Sequence, residues 1–355
     1  MQLSDLGWNS FFDVHFETYK TQGMSAMRIT RENRETYIAY SELGEFHCEV
    51  SGKFRFNTHN KSEFPAVGDW VVTSILPNES KAVIHTILPR KSAFSRKVVG
   101  QITEEQVIAT NIDIVFIITG LDLNFNLRRI ERFLSIAYES KALPVILLNK
   151  ADLCPEAEIR KAEVKSIANG VDVHVLSAKE NSGIDVLNQY IQKGKTIAFL
   201  GSSGVGKSTL INSLLGEEQL KVNQVSELGS RGRHTTTYRE LILLPSGGMV
   251  IDTPGMRELQ VWGDDEGLKY VFDEIETLSE QCRFRNCSHE NEPGCAVQDA
   301  LNEGTLDPKR FSSYLKLKKE YEYLENRQSM NANAIEKANW KKISKMAKEI
   351  KKNKR

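Results

Sequence analysis

The sequence lacks the features of membrane and secreted proteins. No apolar run approaches the ~20 residues that a helix needs to cross a bilayer. The first thirty residues have no basic stretch followed by an apolar core, so they do not resemble a secretion signal. There is no internal repeat and no linker rich in proline or glycine. We therefore expect a cytoplasmic protein without a membrane partner.

The chain has no net charge, but its charges are unevenly distributed. Its 355 residues are 40% hydrophobic and 26% charged, and this length predicts two or three domains. Residues 341–355 contain eight basic residues and one acid. Such a tail is either a solubilising end or a contact for a polyanion such as nucleic acid.

The hydrophobic pattern divides the chain into three regions. Residues 35–95 read as five short strands, namely TYIAY, EFHCEVSG, KFRF, DWVVTSIL and KAVIHTILPR. This pattern fits an OB-type barrel, although an SH3-like barrel would read similarly. Residues 113–255 alternate between apolar strands and helices, which predicts a mostly parallel sheet with helices on both faces. Beyond Gly255 we expect helices near 265–280 and 308–326.

A phosphate-binding loop lies between a predicted strand, TIAFL, and a predicted helix, STLINSLL. It comprises Gly201, Ser202, Ser203, Gly204, Val205, Gly206, Lys207 and Ser208. The glycines let backbone N–H groups turn toward phosphate oxygens, and Lys207 places a positive charge beside them. The Ser208 hydroxyl can bind Mg²⁺, and Thr209 begins the helix whose N-terminus faces the phosphates.

A second motif indicates guanine as the base. Asn149, Lys150, Ala151 and Asp152 follow the strand PVILL at the edge where ligands bind in such sheets. The Asp152 carboxylate can accept from the ring N–H and the exocyclic amine of guanine, and the Asn149 amide can meet the O6/N7 edge. Ser177, Ala178 and Lys179 supply an accessory loop for the base. Taken alone, the tetrapeptide could be a surface turn.

Two further loops resemble nucleotide-sensing switches. Asp252-Thr253-Pro254-Gly255 ends a strand, so Asp252 could hold the Mg²⁺ shell through water and the Gly255 amide could meet a γ-phosphate. The polar loop 231–237 has the position of the other switch, with Thr236 as the expected Mg²⁺ ligand. An ordinary solvent-exposed loop rich in threonine is the alternative.

Met256 stands where many switch GTPases have the glutamine that orients the attacking water. Methionine cannot orient water, so intrinsic hydrolysis should be slow and should rise when a partner completes the site. We expect His234 to act as the catalytic water-positioning group, together with Lys207 and Thr236. His234 could instead be an exposed loop residue or an RNA contact.

Three cysteines and a histidine cluster near the C-terminus: Cys282, Cys287, His289 and Cys295. Three thiolates and one imidazole suit a closed, tetrahedral, structural Zn²⁺ site. Free surface cysteines or a redox pair are the alternatives.

The guanine motif precedes the phosphate loop, which is a circular permutation of the usual order. In this order and in its zinc spacing the chain resembles the ribosome-associated GTPases called RsgA or YjeQ. The resemblance implies a multidomain α/β protein with an OB-type barrel (1–99), a permuted G domain (100–258) and a zinc-containing helical domain with a basic tail (259–355).

The resemblance also implies a monomeric GTPase that binds GTP and GDP with Mg²⁺. It would assist late maturation of the small ribosomal subunit and hydrolyse GTP when docked on the rRNA. In that case Arg90, Lys91, Arg96 and Lys97, with Phe94 among them, could line an RNA groove, although a solvated linker would read the same way. A regulatory G protein that acts on a protein partner through its barrel is the alternative.

Overall fold

The computed structural model describes residues 1–33, 36–58, 60–98, 104–216, 239–252, 265–290 and 292–324. Helix α1 (Ser10–Lys20) begins after Asn9, whose side chain accepts a hydrogen bond from the N–H of Phe11 at 3.1 Å. Trp8, which precedes the helix, makes an edge contact with Trp70 at 4.7 Å between ring centroids. This contact fastens the N-terminal segment to the barrel that follows.

The barrel has five strands: β1 (Ser25–Glu32), β2 (Tyr37–Ser41), β3 (Gly44–Val50), β4 (Trp70–Ile75) and β5 (Lys81–Ile87). They are ordered β1-β2-β3-β5-β4, and β4 pairs back with β1 to close the barrel. Strands β3 and β5 are parallel, whereas the other neighbours are antiparallel. This closed arrangement confirms the OB-type prediction.

One of the five predicted barrel strands was wrong, and one observed strand was not predicted. The segment KFRF belongs to a helix, α2 (Gly52–Asn57), and not to a strand. Ser51 caps it by accepting a hydrogen bond from the N–H of Phe54 at 3.1 Å, which favours the helical turn over the extended form. The fifth strand is instead β1, which lies upstream of the predicted start at residue 35.

The central region forms a Rossmann-like sheet with helices. After a hairpin of β6 (Ala93–Val98) and β7 (Glu104–Thr110), the chain alternates through β8 (Ile114–Gly120), α3 (Leu127–Glu139), β9 (Leu143–Asn149), α4 (Ala157–Ile167), β10 (Asp172–Val175), β11 (Thr196–Leu200), α5 (Lys207–Leu215), β12 (Glu240–Leu243) and β13 (Met249–Asp252). The strand order is β10-β9-β8-β11-β13-β12, parallel except for β12. The predicted alternation is confirmed, but the hairpin was missed and residues 184–189 form only a 3-10 turn.

The barrel and this sheet are continuous. Strand β1 pairs with β12 through Arg31 and Glu240. The strands of the barrel and of the central region therefore form a single sheet of eleven strands. At the same junction the buried Arg28 donates to the carbonyl oxygens of Gly68 (3.3 Å) and Asn111 (3.1 Å). Burial lowers the pKa of Arg28 to about 10, which still leaves it charged at neutral pH.

Two residues of the RNA groove considered above take part in the fold instead. Arg90 donates to both carboxylate oxygens of Asp69, at 2.9 and 2.8 Å. Phe94 is only 1% exposed and belongs to the core. Both side chains therefore stabilise the junction, and the buried ring of Phe94 cannot stack on a base.

The C-terminal region is helical, as predicted. It contains α6 (Glu266–Val271), α7 (Asp273–Glu280), α8 (Ala296–Glu303) and a helix that occupies 308–324. Helix α6 and the helix at 308–324 pack on α3, where the fully buried Glu131 accepts from Arg310 at 3.0 Å and from the hydroxyl of Ser313 at 2.7 Å. Within the described ranges, no helix is long and apolar enough to cross a membrane.

Candidate nucleotide site and metal centre

Asn149 joins two loops at the carboxyl edge of the sheet. It ends β9 and is 2% exposed. Its Nδ2 donates to the carbonyl oxygen of Val205 at 2.8 Å, and its Oδ1 accepts from the N–H of Ala178 at 2.9 Å. The predicted base-recognition loop and the phosphate loop are therefore held together through one buried side-chain amide. This contact uses only one of the two N–H groups of Asn149.

The approach of Asn149 requires glycine at position 206. A Cβ on Gly206 would lie 2.2 Å from Nδ2 of Asn149, and the residue has a φ of +100°. An L side chain would therefore both clash and strain the backbone. The last glycine of the loop thus also has a role outside phosphate binding.

Asp152 and Ser177 are in direct contact. The hydroxyl of Ser177 donates to Oδ1 of Asp152 at 2.6 Å and accepts from the N–H of Glu180 at 3.2 Å. Ser177 is buried, so its hydroxyl fixes the direction of the carboxylate. A carboxylate held in this way is suited to accept hydrogen bonds from a planar base with Oδ2.

Lys150 is held by Asp122, which lies outside the motifs of the sequence. Its Nζ pairs with a carboxylate oxygen of Asp122 at 2.6 Å, and its own backbone is left-handed, with a φ of 68°. Burial acts to raise the pKa of Asp122, but hydrogen bonds from Lys150 and from the N–H of Asn124 outweigh it and lower the pKa. Asp122 lies in the loop after β8, where no sequence motif marks it.

The phosphate loop leads directly into α5. Lys207 is the first residue of that helix, followed by Ser208 and Thr209. Its Nζ donates to the carbonyl oxygens of Gly201 and Ser202, the latter at 2.7 Å. The ammonium thus lies inside the curve of the loop, and the positive end of the helix dipole faces the same space.

The switch residues are only partly described. Asp252 is the last residue of β13 and pairs across the sheet with Glu240 of β12. His234, Thr236 and Gly255 lie outside the described residues, as does Met256.

The four predicted metal ligands converge. One ligand atom from each of Cys282, Cys287, His289 and Cys295 lies within 4.8 Å of the others. The sulfurs of Cys282 and Cys295 are 3.8 Å apart, and each lies 3.6 or 3.5 Å from Nδ1 of His289. With metal–sulfur bonds of about 2.3 Å, two sulfurs of a tetrahedral site should be about 3.8 Å apart. The donor set and spacing therefore fit one tetrahedral ion.

The histidine of this cluster is oriented for metal binding. Its Nε2 lies 3.2 Å from the hydroxyl of Ser279, so Nδ1 points at the sulfurs. Burial lowers the pKa of His289, which favours the neutral imidazole that metals bind. Cys295 caps α8 by accepting from the N–H of Gln298 at 3.5 Å, which couples the cluster to the helix.

Strand order and site geometry define a circularly permuted P-loop GTPase. The strand that leads to Asn149 and Asp152 comes before the strand that leads to the phosphate loop, and both end at the same edge of the sheet. A family model described as RsgA GTPase matches residues 87–262. A model described as ABC transporter matches residues 184–350, which include the phosphate loop.

Curated relatives match nearly the whole chain. The Small ribosomal subunit biogenesis GTPase RsgA of Opitutus terrae is 46% identical and covers 97% of this chain and 96% of its own length. The protein of the same name from Methanosarcina acetivorans is 37% identical, with coverage of 95% and 90%.

Two solved structures are similar. The crystal structure of YjeQ from Thermotoga maritima gives a TM-score of 0.62 at 28% identity and covers 85% of this chain and 98% of its own. The circularly permuted GTPase YloQ gives a TM-score of 0.59 at 25% identity, with coverage of 86% and 96%. This chain belongs to the RsgA GTPase family.

Proposed function

We propose that the protein acts on the small ribosomal subunit, assists its late maturation and hydrolyses GTP when docked on its rRNA. The relatives named for small-subunit biogenesis cover almost the full length, so the match includes the barrel and the helical domain as well as the G domain. The closed OB-type barrel supports an RNA partner. We further propose that the protein works as a cytoplasmic monomer with domains divided at 99 and 258.

The observation that carries the nucleotide assignment is the link through Asn149 between the base loop and the phosphate loop. In the proposed complex Oδ2 of Asp152 accepts from the guanine N–H groups, and the remaining N–H of Asn149 meets the O6/N7 edge. Lys150 and Ala151 flank the base from one side and Ser177 and Ala178 from the other. ATP would leave Oδ2 of Asp152 without a donor, which costs about 1–3 kcal/mol.

The phosphates would be held by backbone N–H groups of residues 201–206, by Lys207 and by the first turn of α5. Mg²⁺ would neutralise charge on the phosphates, held by Ser208 and, through water, by Asp252. Thr236 and the Gly255 amide would join when the γ-phosphate is present, and His234 would orient the attacking water. Zn²⁺ in the cysteine–histidine cluster would be structural, since four protein ligands leave no open position.

GTP turnover measured with and without purified small ribosomal subunits tests this proposal. We expect slow intrinsic hydrolysis and a rise of several orders of magnitude with subunits. A His234→Ala variant should lose the stimulation while keeping GDP affinity. Turnover that subunits leave unchanged would contradict the ribosomal function.

Salt distinguishes an rRNA partner from a protein partner. RNA docking releases counterions, so subunit binding should weaken steeply as ionic strength rises. Binding that is insensitive to salt would favour the regulatory G protein that acts through an apolar protein interface.

A further inference from the structure

Helix α3 begins with two adjacent arginines at its positively polarised end. The first turn contains no acidic residue, so each arginine is electrostatically unfavourable there unless it has a partner. Arg128 has two, because it pairs with the buried Glu131 and with Asp307, the latter at 3.0 Å. Arg129 has no carboxylate within ion-pair distance in the part of the chain that the structure describes.

Arg129 instead contacts the phosphate loop. Its Nη1 donates to the hydroxyl oxygen of Ser202 at 3.1 Å and to the carbonyl oxygen of Asn124 at 3.3 Å. The carbonyl of the same Ser202 accepts from Nζ of Lys207 at 2.7 Å. A continuous series of hydrogen bonds therefore runs from α3, through Ser202, to the phosphate-binding ammonium.

Further along its length α3 is fixed to the helix at 308–324, so it can act as an anchor. Arg132 makes two parallel hydrogen bonds with Glu320, at 2.6 and 2.7 Å. Ser135 contacts the hydroxyl of Tyr321 at 3.0 Å. Because the backbone of α3 is held in this way, the Arg129 side chain loses less conformational entropy when it binds the loop.

We propose that Arg129 is a positioning residue of the phosphate loop. It holds Ser202, and the Ser202 carbonyl in turn holds the Lys207 ammonium at the place where the β-phosphate binds. The inference rests on the proposed assignment of this loop to GTP. Because Lys207 faces a phosphate that GDP and GTP share, loss of Arg129 should weaken both nucleotides equally.

Fluorescent GDP and a fluorescent non-hydrolysable GTP analogue, titrated into the full-length protein with Mg²⁺, test the proposal. Arg129→Ala should raise the dissociation constants of both nucleotides roughly three- to tenfold. The KM for GTP should rise by a similar factor while kcat changes less than about twofold, since the lost interaction is the same in substrate and transition state. Ser202→Ala should reproduce these values, and the double variant should be no weaker than the weaker single variant.

The control is Lys165→Ala, which removes a positive charge from an exposed position of the neighbouring helix α4 and leaves both the anchor of α3 and the contact with Ser202 in place. It should bind both nucleotides like the wild type if the effect of Arg129 is local. Arg129→Lys keeps the charge but not the planar set of N–H donors of the guanidinium, so it should recover less than half of the lost affinity.

Several results would overturn the proposal. Additive losses in the double variant, or full recovery with lysine, would mean that Arg129 acts only through its charge. A loss confined to the GTP analogue would place Arg129 on the γ-phosphate. Wild-type affinity in Arg129→Ala would overturn this inference alone, whereas a wild-type chain that binds neither nucleotide would remove the GTP assignment as well.

Discussion

The side-chain amide of Asn149 donates to the carbonyl oxygen of Val205 at 2.8 Å across two loops that are far apart in the sequence. The same amide accepts from the backbone of Ala178 at 2.9 Å. Base recognition and phosphate recognition are therefore not independent, because displacement of either loop breaks a buried hydrogen bond of the other.

Replacement of Asn149 should affect stability as well as nucleotide binding. Asn149→Ala leaves a buried carbonyl and a buried N–H without their partner, which should lower the free energy of unfolding by about 1–3 kcal/mol. Chemical denaturation of the nucleotide-free protein measures this loss. Asn188→Ala, at an exposed position of the 3-10 turn, is the matched control and should lie within about 0.5 kcal/mol of wild type. An unchanged midpoint for Asn149→Ala would contradict the structural link.

Asp152 should determine which purine binds. Asp152→Asn offers an N–H group where guanine also has N–H groups, so GTP affinity should fall roughly 10- to 100-fold. Xanthosine triphosphate, which has a carbonyl in place of the exocyclic amine, should bind the variant better than GTP. Competition titrations with GTP and xanthosine triphosphate measure this change of nucleotide preference. If the variant prefers GTP, the carboxylate does not face the base.

The cysteine–histidine cluster should contain one zinc ion per chain. Removal of the metal by a chelator should expose the thiols of Cys282, Cys287 and Cys295 to alkylation and loosen α8, which Cys295 caps. Elemental analysis and mass spectrometry of alkylated protein measure both effects. Cys295→Ser should lose the metal, whereas Cys154→Ser, which is outside the cluster, should retain it. Full metal content in Cys295→Ser would exclude this ligand set.

The contact between α3 and the C-terminal helices should depend on Arg310. This residue pairs with the buried Glu131 at 3.0 Å and lies over the ring of Phe272 at 4.8 Å. Arg310→Met removes one partner of a buried carboxylate and should destabilise the protein by about 2–4 kcal/mol, with Arg128 still compensating part of the charge. Arg160→Met, which breaks an exposed pair with Glu163, should cost less than about 1 kcal/mol. Equal effects of the two variants would contradict this assignment.

The sequence predicted the central sheet well because most of its strands are apolar runs, and β9, β11 and β13 each lead into a motif. All seven residues of β8 are buried, for example, and such runs permit few other structures. The convergence of the phosphate loop with Asn149 also followed from topology, since parallel strands end at one edge. The four metal ligands could be predicted because their spacing in the chain is short.

The errors arose where tertiary contacts override local pattern. Strand β1 was not predicted because Arg28 and Thr30 make its other face polar in sequence, although both are buried, and only Met27 and Ile29 form an apolar face. The sequence favoured a groove position for Phe94 because its neighbours in the chain are basic, and a basic segment gives no sign that one of its side chains is buried. Asp122 and Arg129 act on the site through partners that are distant in sequence, and no motif marks either residue.

The pairing of β1 with β12 means that the barrel covers one side of the G domain. Strand β12 is the outermost strand of that domain, and without β1 its outward N–H and C=O groups would meet solvent or another chain. The barrel therefore protects the catalytic domain from edge-to-edge aggregation, in addition to any partner that it binds.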